Sequence, residues 1–233
     1  MSVPQLAGLT AATADVVATA EVFGLITGGL IAMGPSTRGP STLGTDRSAR
    51  VCFDDITIEI VSNDTAQAGI CGVTLACADI IGPVRTSGVT VTSIGSLPVP
   101  EIGGDVIFDH IALGVLDLAE ARAAWIRLTG LQPHDVGVHP VSGGAFEAVR
   151  FELGHRMIEL VSPAQGVQSP MSTRLAKYGD AALALALPAN DLAAKVAELE
   201  TAGMTVLDQP PHRLVHPRNT GGVMVQLTPR VEH

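Results

Sequence analysis

The sequence predicts an α+β fold of tandem βαβββ modules, with a complete pair in the carboxy-terminal half and a degenerate pair in the amino-terminal half. Three observations carry this. A β-rich run followed by an Asp-capped, apolar-periodic segment occurs twice after Asp105. Strand-like runs joined by short turns follow each of those segments, and one of these hairpin phrases has an echo in the first half. Between the halves, residues 93–104 carry Pro98, Pro100 and the pair Gly103-Gly104, which is linker chemistry. The chain is therefore divided into a degenerate half, 1–104, and a complete half, 105–233.

In the second half, 106–115 is rich in β-formers, and Asp117 caps the periodic run 118–128, so strand gives way to helix. Gly130 stops the helix, Pro133 and Gly137 mark a loop, and strand-like runs follow at 146–153 and 157–161, joined at Gly154-His155. The order restarts with the apolar run 181–187. A cap at Asn190 or Asp191 opens a helix over 192–201, which Gly203 closes, and strands follow at 204–207, 213–216 and 223–227. Aligning the helix entries Asp117-Leu118 and Asp191-Leu192 superposes His110 on Ala184, and Met157-Ile158-Glu159-Leu160 matches Met224-Val225-Gln226-Leu227.

The first half repeats this phrasing in weaker form. Val51-Cys52-Phe53-Asp54-Asp55-Ile56-Thr57-Ile58-Glu59-Ile60-Val61-Ser62 reads like Val149-Arg150-Phe151-Glu152 followed by Met157-Ile158-Glu159-Leu160-Val161-Ser162, with a difference in length at the turn. Residues 72–80 read like the strand and cap at 184–192, and Ser87-Gly88-Val89-Thr90-Val91 like Ala202-Gly203-Met204-Thr205-Val206. The last two strands of that module fall where the linker stands, so the module reads as truncated.

Composition narrows the function. With 46% hydrophobic and 16% charged residues the chain has ample material for a packed core. A formal charge of −9 repels phosphate backbones, and no basic stripe offsets it, so nucleic acid is excluded as a partner. The run 22–33 is shorter than the roughly 20 residues that cross a bilayer and is interrupted by Thr27, Gly28 and Gly29, so no membrane span is expected. The start Met1-Ser2-Val3-Pro4 has no basic, apolar leader, and the expected location is cytoplasmic. Cys52, Cys71 and Cys77 form no C-x-x-C pair and read as plain buried thiols on strands. His134, His139, His155 and His212 lie near Pro or Gly and read as solvated loop or turn residues. Thr27-Gly28-Gly29 and Ser142-Gly143-Gly144 lack the spacing of a phosphate-binding loop, and no G-x-S-x-G elbow is present.

The stretch His216-Pro217-Arg218-Asn219-Thr220-Gly221-Gly222-Val223 resembles the closing hairpin of methylmalonyl-CoA epimerases, which carry His-Pro-Lys-x-Thr-Gly-Gly-Val before their last strand. With Asp109-His110-Ile111-Ala112 at the opening strand and Ile158-Glu159-Leu160 before Pro163, the resemblance runs over 105–230 in the family's order. The wider group it resembles is the vicinal oxygen chelate superfamily of glyoxalases and bleomycin-resistance proteins, whose paired βαβββ modules wrap sheets around a cleft that usually holds a divalent metal. The resemblance implies four ligand positions. They fall on His110, Glu159, Ala184 and Gln226: alanine offers no donor where the relatives have histidine, and glutamine offers only a neutral carbonyl. If a metal is bound, His110, Glu159 and Gln226 hold it loosely with water, and zinc, cobalt, nickel or manganese suits these donors. No cofactor is firmly implied.

The function this suggests is an isomerase, epimerase or lyase acting next to a carbonyl of a small organic acid or its CoA thioester, with weak or no metal dependence. Glu159 and His110 form the proton-handling pair, Gln226 orients the substrate oxygen, and Arg218 and Asn219 meet a substrate carboxylate or phosphate. Strand alternation puts Glu159 with Met157 and Val161 and opposite Ile158 and Leu160, so a cleft wall is its expected place. The expected partner is a small molecule, an acyl-CoA among the candidates, and a homodimer is allowed. The alternative is a non-catalytic protein that sequesters a hydrophobic small molecule, although 3% aromatic residues leave little for stacking. A ring-cleaving dioxygenase, which the four-module layout suggests, is set against the missing iron ligands.

Overall fold

In the computed structural model of the protein, residues 3–35, 47–54, 56–62, 68–76, 82–95, 105–141, 144–166, 168–210 and 212–230 are described. The linker assigned to 93–104 lies mostly outside them.

Three strand-to-helix steps are built alike. β1 (Gln5–Thr13) leads into α1 (Val16–Thr27), β8 (His110–Gly114) into α2 (Leu118–Thr129), and β12 (Ala181–Ala189) into α4 (Leu192–Thr201). At each step an aspartate with extended backbone, Asp15, Asp117 or Asp191, accepts a hydrogen bond from the N–H three residues on, at Ala18 (3.0 Å), Glu120 (2.8 Å) and Ala194 (2.9 Å). Each cap satisfies one orphan donor and contributes about 1 kcal/mol. Of the two candidates in the last module, Asp191 is the cap. Asn190 instead accepts from Arg230 Nη1 at 2.8 Å.

Each helix is followed by three strands: β2 (Leu30–Pro35), β3 (Arg47–Phe53) and β4 (Ile56–Ser62) after α1; β9 (His134–Val141), β10 (Gly144–Leu153) and β11 (Arg156–Pro163) after α2; β13 (Val206–Gln209), β14 (His212–Val215) and β15 (Met224–Pro229) after α4. The second module consists, among the described residues, of β5 (Gly69–Ala76), β6 (Val84–Thr86) and β7 (Val89–Ile94). One sheet has the order β2-β3-β4-β1-β5-β7-β6, the other β13-β14-β15-β12-β8-β11-β10-β9. This is the expected α+β architecture, with a complete carboxy-terminal pair of modules and a degenerate amino-terminal pair.

The structure revises several sequence expectations. β7 pairs in parallel with β5, as β4 does with β1 and β11 with β8, so β7 holds the last-strand position of its module. Ser87-Gly88 is thus the β6–β7 turn, not the helix exit matched to 202–203, and the module is shortened before β6 rather than at its end. The loop expected near Gly137 is β9, with Gly137 at a register shift against Ala148 and Val149. His134 and His139 are therefore strand residues, and His212 opens β14. An unanticipated helix, α3 (Pro170–Tyr178), fills the step before β12. Its signal is a capping box: Ser172 N donates to Ser169 Oγ at 3.1 Å and Ser169 N to Ser172 Oγ at 2.8 Å, with Pro170 in the first turn. Cys52 and Cys71 are strand residues but only half-buried, not fully buried as expected; Cys77 lies outside the described residues. No helix among the described residues is long and apolar enough to cross a membrane.

The chain forms two compact units, each drawing on both sequence halves. The first comprises Met1–Leu6, Cys71–Ser96 and His110–Ala184. Its core holds Ile111, Leu113, Phe151, Ile158 and Leu160 around the fully buried Trp125, whose ring centroid is 6.3 Å from that of Phe151. Trp125 Nε1 donates to Ser87 Oγ at 3.1 Å. Ser87 and Gly88 both have positive φ, 48° and 75°, and a Cβ at position 88 would lie 2.0 Å from the Asp180 carbonyl oxygen, so only glycine fits there.

The second unit comprises Ala7–Ile70, Leu97–Asp109 and Leu185–His233. Phe23, Ile26, Ile58, Ile60, Val225 and Leu227 are fully buried in it. Lys195 of α4 is buried, with its ammonium 2.7 Å from Glu198 Oε2 and donating to the Leu25 carbonyl of α1 at 3.4 Å. Such a buried ammonium persists because it is paired.

Candidate functional site

Strand register builds the site in the first unit. β8 and β11 run parallel with His110 opposite Met157 and Ala112 opposite Glu159, while β10 and β11 run antiparallel with Arg150 opposite Glu159. Directly opposed residues share a face, and alternation places His110, Met157, Glu159 and Arg150 on one side of the sheet. Ile111, Leu113, Ile158, Leu160 and Phe151 occupy the other side with Trp125. The apolar run around Glu159 thus divides as alternation requires.

Glu159 is 8% exposed, and a carboxylate so buried needs a partner. Arg150 Nε donates to its Oε1 at 2.8 Å. Oε2 lies 3.8 Å from His110 Nε2, beyond hydrogen-bonding distance, so imidazole and carboxylate face each other across a gap. His110 is itself mostly covered, whereas Arg150 is 40% exposed. Farther along the sheet, His134 stands opposite Arg150, and its Nε2 is 3.5 Å from Glu152 Oε1 at an exposed rim. His110 and Glu159 are brought together. Arg150 joins them, and nothing local in the sequence marks this arginine as facing a glutamate nine residues away.

The same Arg–Glu opposition recurs in the amino-terminal half. Arg50 of β3 is opposite Glu59 of β4, with Nη2 3.9 Å from Oε1. Both hairpins close identically, Phe53 opposite Ile56 and Leu153 opposite Arg156, so there is no length difference between them. The counterpart of Arg150 is therefore Arg50, not Cys52 as the phrase match had it. In β1 Gly8 is opposite Thr57, as His110 is opposite Met157, so Gly8 holds the histidine position. The first module keeps the ion pair and lacks the imidazole.

Ala184 stands half-buried on β12 and offers only a methyl group. Gln226 belongs to the second unit, half-buried on β15 opposite Leu214 and flanked by the buried Val225 and Leu227. In that unit the hairpin at 216–223 is held by its own polar groups. Asn219 Oδ1 accepts from Thr205 N at 3.1 Å, the Arg218 guanidinium donates to Thr205 Oγ1, and Arg218 N donates to His216 Nδ1 at 3.2 Å. Both Arg218 and Asn219 thereby fasten the hairpin to the strand entry after α4. Thr220 is fully buried and donates to the Val223 carbonyl. Gly221 and Gly222 have φ of 61° and 93°, and a Cβ at 221 would lie 2.6 Å from Thr19 Oγ1. Packing thus accounts for the Thr-Gly-Gly of this motif.

The donor set does not fit a tightly held transition metal. Among the described residues no three His, Cys, Asp or Glu side chains gather to hold one. One oxygen of Glu159 is occupied by a guanidinium, whose positive charge disfavours a cation beside it, and Ala184 supplies nothing.

Tandem βαβββ modules are the architecture that the resemblance to the vicinal oxygen chelate superfamily implies, and the chain has them. The chain belongs to the glyoxalase-like domain family, whose model matches residues 108–226. Among solved structures it is similar to a triple mutant of 4-hydroxymandelate synthase from Streptomyces coelicolor, at 14% identity and a TM-score of 0.75, covering 100% of this chain and 95% of that one. That likeness is one of fold. Methylmalonyl-CoA epimerase from Mycobacterium tuberculosis matches at 21% identity and a TM-score of 0.45, covering 53% of this chain and 88% of that one. No curated protein matches the chain.

Proposed function

We propose that the protein catalyses proton transfer next to a carbonyl of a small organic acid or its CoA thioester, as an isomerase, epimerase or lyase without a tightly held metal. One observation supports this above the others: the buried Glu159 carboxylate keeps one oxygen, Oε2, turned toward His110 across 3.8 Å while Arg150 holds the other. In this reading Oε2 takes the proton from the carbon acid and gives it back. His110 donates a hydrogen bond to the carbonyl oxygen as it becomes an enolate, and the covered surroundings strengthen that bond. An acyl-CoA is the favoured partner on the resemblance of 216–223 to the epimerase hairpin. Incubation with a panel of acyl-CoA thioesters and their free acids in deuterated water tests the reading: deuterium is expected at the carbon next to the carbonyl, and its incorporation should vanish with Glu159→Gln.

A second reading, sequestration of a hydrophobic small molecule without chemistry, draws on Arg50 and Glu59. Their pairing in a module with Gly8 in the histidine position makes an Arg–Glu pair compatible with a module that has no catalytic imidazole. Absence of exchange across the whole panel, with binding of an apolar compound, would favour it.

A further inference from the structure

We infer that Arg150 is a substrate-binding residue that anchors a carboxylate, supplying in this site the positive charge for which the damaged ligand set has no metal. The inference rests on the proposed role of Glu159 in locating the site, but its chemistry is separate. Arg150 spends only Nε on Glu159, at 2.8 Å, and among the described residues Nη1 and Nη2 have no hydrogen-bond partner. The side chain is 40% exposed, so this two-nitrogen fork is within reach of a small molecule, while the carboxylate behind it is covered and fixes the guanidinium plane. A planar fork with two parallel donors matches the geometry of a carboxylate.

Charge strengthens the case. A chain of net charge −9 repels small anions, so a site that accepts one needs a local cation. Strands β8 to β11 contain two arginines. Arg156 alternates with Ile158 and Leu160 on the core side and is 1% exposed, which leaves Arg150 as the arginine on the face of His110 and Glu159. Arg50 serves as an internal control: it approaches Glu59 through Nη2, so its fork is turned to the glutamate, and Gly8 replaces the histidine beside it. The outward fork occurs in the module that has the imidazole.

Calorimetric titration of the full chain with oxalate, in the presence of EDTA to remove any contribution from a metal, reads this directly. Wild type should bind oxalate, and Arg150→Gln should weaken binding at least about tenfold, the loss of a bidentate charge-assisted contact. Arg150→Lys, a point charge without the fork, should fall between them. Glu159→Gln removes the competing carboxylate and should bind oxalate at least as tightly as wild type, and Arg50→Gln should match wild type. Thermal melts establish that each variant is folded. No binding by wild type up to about 10 mM, unchanged affinity in Arg150→Gln, equal weakening in Arg50→Gln, or loss of binding in folded Glu159→Gln would each overturn the inference. Failure of the proton-transfer reading looks different: no deuterium exchange with any substrate, with the oxalate pattern intact.

Discussion

Arg150 stands directly opposite Glu159 on the neighbouring strand and donates through Nε to Oε1 at 2.8 Å, which leaves Oε2 as the oxygen turned toward His110. Chemistry and stability at Glu159 can therefore be separated. Glu159→Gln keeps the size and a hydrogen-bond acceptor for Arg150 but removes the base. Deuterium exchange into the substrate should fall about 100-fold or more. The ion pair it breaks involves a half-exposed arginine, so stability should change by only about 1 kcal/mol, measured by denaturant titration. Full exchange activity in this variant would remove Glu159 from the mechanism.

His110 is the residue that distinguishes the third module from the first. His110→Ala should lower exchange by about two orders of magnitude, whereas Glu59→Gln, in the module with Gly8 at that position, should leave exchange unchanged. Equal effects of the two substitutions would show that the readout follows the ion pairs and not the imidazole.

Gly88 is predicted to be irreplaceable for packing reasons. Alanine there must adopt a φ of 75°, costing about 1–2 kcal/mol. It must also place Cβ 2.0 Å from the Asp180 carbonyl oxygen, which forces a backbone shift costing about 1–3 kcal/mol. A melting temperature within a degree of wild type would contradict this.

Trp125→Phe removes the donor to Ser87 Oγ and leaves a void beside Phe151. Destabilisation of about 2–3 kcal/mol is expected in urea unfolding. Trp125 is the chain's one tryptophan, so its fluorescence reports unfolding of the wild type, and circular dichroism serves for the variant.

Metal content follows from the donor set. Purified protein should carry well below one equivalent of zinc, cobalt, nickel or manganese, and dialysis against EDTA should leave deuterium exchange unchanged. Near-stoichiometric, chelator-sensitive metal would reverse the metal-independent reading of His110 and Glu159.

The sequence by itself determined the order of the two modules in the second half, because each of them announces its helix locally. Asp117 and Asp191 stand where an extended residue must cap a helix, and the apolar periods on either side distinguish strand from helix. It also put Glu159 on one strand face with Met157 and Val161, since alternation fixes which residues of a strand share a face. What it could not determine is which residue of one strand lies opposite which of the next. A slide of two residues preserves the alternation of faces, so hydrophobic pattern is blind to it, and the match of Cys52 to Arg150 was off by that step. Only the formed ladders put Arg50 against Glu59 and Arg150 against Glu159. The same holds for Ser87, whose hydroxyl accepts from Trp125 Nε1, 38 residues away in the chain. Contacts between strands and across the core are properties of the folded chain, and the arginine beside the carboxylate is one of them.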